Sequence, residues 1–506
     1  MPYTFENPYA YLFNSLMIAD GRLPVYIDHP GTTTEVFGAV VLMATNTRPT
    51  DDLVEATLKN PERQIRKLHL ALLIFAALVI WLGPCLTALA LRNWVVGILI
   101  QAPVLFCKIL LYYAMLFGSE LMLIPFSIAA VCCCVLLLVP SAVHDKEITF
   151  GVSDPGSLSP SYLLRIPFLA GMAGAVCALG IVTKLTFFPV ILISMFCCRT
   201  RRNLATFAAT FVLGLLFALI PIYPQLPKLF HWISDLGIHS GQYGEGPVGL
   251  PDAGKYFSAL NDFVVSESPL IIITSVGLVA ALALSLVPKK NSLARAISWK
   301  TILPVFCIQL ISFLAIAKHP SDHYLIPLGT TAGLELVLLF FACKDPGTFA
   351  VCRVMGRLIL VGLLILGSTA FLFGTRETYL SLRRETADQL RLYKHARAIT
   401  KNDVRVDYFF SDSPEFPLAY GNDFAGDVFS AILERLYPNA LFFDVFGGKF
   451  GTFADSIEPA QVRKKYDHLY FLGAQNSLPK IEGFDPGTFE TIDQVGGYYL
   501  QKWTRK

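Results

Sequence analysis

The short segment from Lys318 to Tyr324 places one lysine, two histidines, one aspartate and one tyrosine between two apolar runs. Cationic donors and a phenol at this density suit an anion such as a phosphate, because charge-assisted hydrogen bonds to its oxygens are strong. Lys318, His319, His323 and Tyr324 are therefore candidate phosphate contacts. The two histidines with Asp322 could also take a divalent metal, but His-x-x-x-His on a loop is a weak metal motif. A solvated loop is the plain alternative.

A second titratable group, the pair Asp28-His29, precedes a short apolar run at residues 36–44. The following Pro30-Gly31 predicts a turn, because proline fixes φ and glycine permits a positive φ. One of the threonines at 32–34 would then cap a short helix. The run is shorter than the roughly 17–25 residues that cross a bilayer. We therefore expect a re-entrant or surface helix that holds Asp28 and His29 at the edge of a membrane cavity, or else a loop and helix without chemistry.

Four of the ionisable residues within or beside the apolar runs are functional candidates, because a charge in the membrane is costly. Glu120 opens one run, Lys184 separates two, and Lys108 and Glu335 lie inside theirs. Glu120 is a candidate for the reaction, with a simple interfacial carboxylate as the alternative. Lys184 fits a hairpin turn better than a ligand. Snorkelling of Lys108, or an ion pair between Lys108 and Glu335, would explain the other two.

A glycine-rich segment at residues 239–246 interleaves polar and aromatic side chains. Glycine lets the backbone approach a ligand or another loop closely. Tyr243 in this segment is therefore a further candidate for substrate binding, and a flexible connector has the same composition.

The composition is that of an α-helical polytopic membrane protein. Of the 506 residues, 54% are hydrophobic and 16% are charged, with a mean hydropathy of +0.54; soluble domains carry about 25% charge. The net charge of +3 gives no indication of a nucleic-acid partner. The 11 cysteines lie between Cys85 and Cys352 in apolar runs or beside basic loops, which fits neither a disulfide framework nor a metal motif.

Hydropathy predicts about ten membrane spans, and the basic loops between them fall on one side, which is then the cytoplasm. The opposite side receives residues 1–67, with helices expected at 5–21 and 51–68, and also the C-terminus. We expect a first span upstream of Met1, or translocation of residues 1–67 with the first hairpin. The predicted spans lie at about 68–91, 95–113, 120–139, 162–181, 185–198, 204–222, 269–287, 300–317, 325–343 and 357–374.

The chain changes character after residue 374, where charge rises and short alternating apolar runs appear. This predicts three parts: an outer loop with juxtamembrane helices at 1–67, a transmembrane catalytic domain at 68–374, and a soluble extracytoplasmic α/β domain at 375–506. The expected strands lie at 404–410, 441–445, 468–472 and 498–503, and the expected helices at 376–400 and 423–437.

Several local motifs, in this order, resemble the C-type superfold of membrane glycosyltransferases, such as protein O-mannosyltransferases and lipid A aminoarabinose transferases. Glu6-Asn7-Pro8-Tyr9 stands where these enzymes have an acidic residue in the first outer loop. Asp28-His29-Pro30-Gly31 stands where they have a His-Pro-Pro-like turn. An amphipathic helix at 51–68, a second outer acid at Glu120, and a late basic loop at Lys318–Tyr324 complete the match. Two departures are the start of the chain, almost at Glu6, and the glutamate where aspartate is usual.

The resemblance implies transfer of a sugar from a polyprenyl phosphate to an acceptor hydroxyl on the non-cytoplasmic face of the plasma (inner) membrane. Glu6 would be the base that takes the acceptor proton, with Glu120 as the second candidate. Asp28 and His29 would hold the first loop or touch the acceptor. Preorganised cations would stabilise the leaving phosphate. A divalent cation could bridge carboxylate and phosphate, but the cofactor remains unknown from the sequence.

Two other classes of function remain open. A transporter or flippase of a lipid-linked glycan would use Lys108 and Glu335 as coupling groups, although paired broken spans, common in transporters, are not evident. A non-catalytic membrane scaffold would use residues 375–506 to bind a partner. An enzyme requires Glu6 and Glu120, a transporter requires the intramembrane charges, and a scaffold requires only the C-terminal domain.

Overall fold

The structure, a computed structural model, describes residues 8–27, 31–46, 50–149, 160–240, 246–249, 252–266, 271–272, 274–276, 278–279, 301–316, 318, 321–344, 354, 361–362, 365, 368–369, 371–400, 403–408, 415–444, 448–474, 481–485 and 488–505. Its α-helices are α1 Pro8–Ala19, α2 Thr32–Thr45, α3 Thr50–Lys59, α4 Pro61–Ala90, α5 Trp94–Phe106, α6 Lys108–Tyr113, α7 Ser119–Thr149, α8 Pro160–Thr183, α9 Phe188–Cys197, α10 Arg201–Ala218, α11 Leu226–Ile238, α12 Ala253–Ser266, α13 Leu303–Ile316, α14 Ile326–Lys344, α15 Arg376–Ile399, α16 Glu415–Phe424, α17 Ser430–Leu436 and α18 Pro459–Lys465.

The apolar helices form the multi-pass membrane region. Within the described residues, four helical segments are long and apolar enough to cross a bilayer: α4, Ser119–Val139, Ile166–Thr183 and Asp322–Phe341. A fifth results if α10 and Ile220–Ile238, which meet at a 72° bend, count as one span. The predicted spans at 269–287 and 357–374 lie largely outside the described residues, so a total of about ten remains a prediction.

Two predicted helices are each divided in the structure, and both divisions lie near a proline. The expected span at 95–113 is broken at Cys107 into α5 and α6. Pro103 inside α5 has no N–H to donate, which weakens the helix one turn earlier. The expected surface helix at 51–68 ends at Lys59, and Pro61 starts α4. Proline is favourable at the first helical position because its fixed φ suits the helix and no hydrogen bond is lost.

The C-terminal region contains the predicted sheet, which has seven strands in the order β4-β3-β2-β1-β5-β7-β6. The central strand β1 is parallel to β2 and β5, and the other pairs are antiparallel. Helix α15 covers one face through Leu392 and Ala396, which pack with Leu472 and Leu500. The strands are β1 Arg405–Tyr408, β2 Leu441–Asp444, β3 Lys449–Gly451, β4 Ser456–Ile457, β5 His468–Ala474, β6 Phe489–Val495 and β7 Tyr498–Thr504.

Candidate active site

A buried ion pair between Glu120 and Lys184 joins the ends of two membrane helices. Glu120 lies in the first turn of α7, and Lys184 directly follows α8. The ammonium of Lys184 donates to the Glu120 carboxylate, and the two residues are only 3% and 1% exposed. Removing two charges from water costs on the order of several kcal/mol per ion, which their attraction offsets only in good geometry. A pair in such surroundings is therefore a strong functional candidate.

The Glu120 carboxylate accepts a hydrogen bond from one hydroxyl group, which in turn accepts one from a residue of α1. Ser119 Oγ donates to Glu120 Oε1 over 3.0 Å. Tyr11 Oη on α1 donates to Ser119 Oγ over 2.8 Å. The α1 helix therefore reaches the ion pair through two consecutive hydrogen bonds.

The segment at 321–325 contributes an aromatic wall beside Lys184. The Lys184 ammonium lies 5.2 Å from the centre of the Tyr324 ring, a cation–π arrangement. His323 is 2% exposed, and its Nδ1 lies 2.7 Å from Ser321 Oγ and 3.3 Å from Tyr113 Oη. The structure thus brings two predicted phosphate contacts, His323 and Tyr324, beside the Glu120–Lys184 pair.

The first outer loop reaches the same place through Gly31. Its N–H donates to the carbonyl of Thr183 over 3.1 Å, next to Lys184. Gly31 has φ of 59°, which glycine adopts without steric cost. Gly31 is also the N-cap of α2, without a side-chain cap bond, so the expected threonine cap is wrong. Instead, the Thr33 hydroxyl shares a hydrogen bond with that of Thr183.

Lys318 has a different environment from the one expected of a phosphate ligand. Its ammonium donates to the carbonyls of Leu236 and Gly237 over 3.0 and 2.9 Å. These carbonyls belong to the last turn of α11, where a cation is favourable because of the helix dipole. The described contacts of Lys318 therefore stabilise the end of α11 and do not include the ion pair.

Glu6, Asp28, His29, Tyr243 and His319 lie outside the described residues. Their predicted roles therefore remain predictions.

The sequence alone did not predict a role for Lys184 in the site. Lys184 was expected to form a turn, because one lysine between two apolar runs is typical of a hairpin. Its partner, Glu120, is 64 positions away in the chain. The available signal was that both residues are ionisable and lie at the ends of predicted spans on the same side of the membrane.

Two other buried carboxylates contrast with Glu120. Among the described residues, neither oxygen of Glu35 or of Glu335 finds a hydrogen-bond partner, and both glutamates are 0% exposed. The Lys108 side chain, the predicted partner of Glu335, lies outside the described residues. Among the residues that the structure describes, no group of three or more His, Cys, Asp or Glu is arranged to hold a metal ion.

Comparison with solved structures identifies one similar fold. ArnT from Cupriavidus metallidurans in the apo state superposes with a TM-score of 0.52 at 11% sequence identity, covering 98% of this chain and 93% of ArnT. This chain shares the ArnT fold. The predicted resemblance to C-type membrane glycosyltransferases is thereby confirmed at the level of the fold.

Two further structures superpose with lower scores. ArnT from the same organism bound to undecaprenyl phosphate has a TM-score of 0.46 at 11% identity, covering 98% of this chain and 96% of that one. The oligosaccharyltransferase AglB from Archaeoglobus fulgidus, in complex with an inhibitory peptide and a dolichol-phosphate, has a TM-score of 0.38 at 11% identity, covering 94% and 70%. No family model and no curated protein sequence matches the chain.

Proposed function

We propose that this protein is an integral-membrane glycosyltransferase that moves a sugar from a polyprenyl-phosphate donor to an acceptor hydroxyl on the non-cytoplasmic face of the plasma membrane. The observation that carries the proposal is the buried Glu120–Lys184 pair beside His323 and Tyr324, within a chain that shares the ArnT fold. A carboxylate next to a cation supplies the two groups that the transfer needs.

In the transfer, the bond between the anomeric carbon and the phosphate oxygen breaks as the acceptor oxygen forms a new bond to that carbon. The phosphate leaves with the electron pair, and Lys184 stabilises its charge, with His323 and Tyr324 beside it. The acceptor proton goes to a carboxylate within hydrogen-bond reach. Glu6 remains the first candidate for that base and Glu120 the second. When the phosphate engages Lys184, the Glu120 carboxylate becomes available for the proton.

The remaining predicted contacts stay part of the proposal. Asp28 and His29 directly precede Pro30 and Gly31, and Gly31 binds Thr183 beside Lys184. We therefore place the first loop at the entrance of the site. Tyr243 and His319 stay candidate contacts, and Lys318 supports α11 at the rim. No cofactor is assigned.

The proposal is tested with the purified full-length chain. Mass spectrometry of co-purified lipid should identify a polyprenyl phosphate or its glycosylated form. Undecaprenyl phosphate is the binding probe, and a double variant, Glu120→Gln with Lys184→Gln, should lose its binding while the chain still folds, because no buried charge is left alone. A matched control, Lys449→Gln with Glu458→Gln, removes an exposed ion pair of 2.9 Å. Equal binding by both double variants would refute the proposal.

A flippase is the second candidate, because Glu335 is a buried carboxylate within a membrane helix and has no hydrogen-bond partner in the part of the chain that the structure describes. A flippase predicts that Glu335→Gln stops lipid translocation in proteoliposomes. The glycosyltransferase predicts that Glu335→Gln leaves binding of the lipid phosphate intact.

A further inference from the structure

The soluble C-terminal domain packs directly on the helix that reaches the ion pair. Helix α16 crosses α1, and the ring centres of Phe13 and Phe429 lie 5.5 Å apart in an edge-to-face contact. Tyr26 and Phe424 make a second such contact at 4.8 Å. The Arg22 guanidinium lies 5.9 Å from the centre of the Phe429 ring. The domain thus packs against the first loop through aromatic side chains.

Gly421 in α16 lies directly against α1. A Cβ at this position would lie 2.8 Å from Tyr9 Cβ, 3.1 Å from the Tyr9 carbonyl carbon and 3.2 Å from a ring carbon of Phe13. The carbonyl carbon belongs to the α1 backbone, so rotation of a side chain cannot relieve the whole contact. Any larger residue at 421 must therefore move α1 relative to the domain.

The opposite side of α1 faces the site. Tyr9 and Phe13, four residues apart, contact the domain, whereas Tyr11 donates to Ser119, which in turn donates to Glu120. Tyr11 also makes an edge-to-face contact with Phe117 at 6.4 Å. Helix α1 therefore connects the domain to the start of α7.

We propose that the C-terminal domain positions the Glu120 carboxylate through α1, and that Gly421 is the positioning residue that sets the place of α1. Gly421 touches no reacting atom, and its effect passes through Tyr11 and Ser119. The inference rests on the proposed function only in treating Glu120 as part of the reaction centre. The C-terminal domain would thus help to orient a side chain of the membrane site.

The test compares Gly421→Ala with Gly497→Ala, since nothing lies within 4 Å of a Cβ at Gly497. Alanine has the higher helix propensity, so Gly421→Ala should not weaken α16 itself. We expect Gly421→Ala to accelerate amide hydrogen exchange in residues 117–125 by about tenfold. The free energy that corresponds to this rate change is within the range of couplings measured between residues in contact. Gly497→Ala should leave that segment unchanged. A change confined to residues 415–436 would overturn the proposal.

A double-mutant cycle with Tyr11→Phe separates positioning from mere stability of the domain. If the effect passes through Tyr11, the combined variant should show no more exchange than the larger single variant. Additive effects would overturn the proposal. Should Gly421→Ala not fold, Phe429→Leu reduces the same interface without a clash and takes its place.

Undecaprenyl phosphate binding by the same variants keeps this inference distinct from the proposed function. Wild-type protein that fails to bind this lipid, while exchange at 117–125 still responds to Gly421→Ala, would defeat the function and leave the positioning role intact. If wild-type protein binds the lipid but Gly421→Ala does not change exchange at residues 117–125, the positioning role is refuted and the proposed function is unaffected.

Discussion

Glu120 and Glu335 are both buried glutamates in apolar helices, with 3% and 0% exposure, yet their surroundings differ completely. Glu120 receives hydrogen bonds from Lys184 and Ser119. Among the residues that the structure describes, none donates a hydrogen bond to either oxygen of Glu335. Burial alone therefore does not indicate which glutamate of a membrane helix has a charged partner. Within the described residues, Glu120 differs by a cation from a distant part of the chain and by the Ser119 hydroxyl that donates to it.

The largest effect is expected when the pair is broken on one side. Lys184→Gln leaves Glu120 buried without a countercharge, which should lower the free energy of unfolding by about 3–5 kcal/mol. Denaturation of the purified protein in detergent measures the loss, and adding Glu120→Gln should recover most of it. If Lys184→Gln lowers the free energy of unfolding no more than Lys449→Gln, which breaks an exposed ion pair, the buried pair at Glu120 does not differ in this way from a surface pair.

A packing change should disturb the pair without altering charge. A Cβ at Gly180 would lie 2.5 Å from the ring of Phe187, and the Phe187 N–H donates to the Lys184 carbonyl over 3.0 Å. Gly180→Ala should therefore displace the turn that carries Lys184 and cost about 1–3 kcal/mol, as overpacking does. The free energy of unfolding and the affinity for undecaprenyl phosphate should both decline, relative to Gly497→Ala as control. If the affinity of Gly180→Ala for undecaprenyl phosphate is unchanged, Lys184 does not take part in lipid binding.

The same amide substitution at the other glutamate should have a small effect. Glu335→Gln removes no observed hydrogen bond and nearly preserves the volume, so the stability should change by less than about 1 kcal/mol. Denaturation under the same conditions provides the comparison. A loss as large as that of Lys184→Gln would show that Glu335 also has a charged partner, and the contrast would fail.

A partly buried acid in the C-terminal domain should show the smallest effect. The hydrogen bond from His395 lowers the pKa of Asp493. Its stabilising contribution is therefore complete above the pKa of an unfolded aspartate, about 3.9, and is lost as pH falls through the lower folded value. Between pH 5 and 2, the melting temperature of Asp493→Asn should decline slightly less than that of wild-type protein. A steeper decline would contradict this sign.

The sequence predicted the elements whose signal is local. The C-terminal strands near 404–410, 441–445, 468–472 and 498–503 all exist in the sheet, because short apolar runs between turns suffice to indicate them. The strands β3, β4 and β6 were not predicted. Strands β3 and β4 have only three and two residues, and β6 is largely exposed at the sheet edge, so none of them has a clear apolar pattern.

The candidate site was less predictable because it depends on which distant residues meet. Composition placed Lys318, His323 and Tyr324 together, but it could not show that the Lys318 ammonium turns to the carbonyls of α11. Nor could it show that Lys184, judged a simple turn, pairs with Glu120. Side-chain direction at a helix end depends on tertiary packing, which a linear pattern does not contain.

The contact of Lys318 with the end of α11 has a consequence for the long stretch of chain between them. One ammonium group joins positions that are 81 and 82 residues apart in sequence, and α12 and α13 lie between them. Because closure entropy grows only slowly with loop length, by about 0.6 kcal/mol per doubling, the connection between α11 and α12 can accept added residues at low cost. An affinity tag or fluorescent reporter inserted between Gly249 and Ala253, beyond the His239–Val248 bridge, should therefore leave the end of α11 and its contact with Lys318 in place.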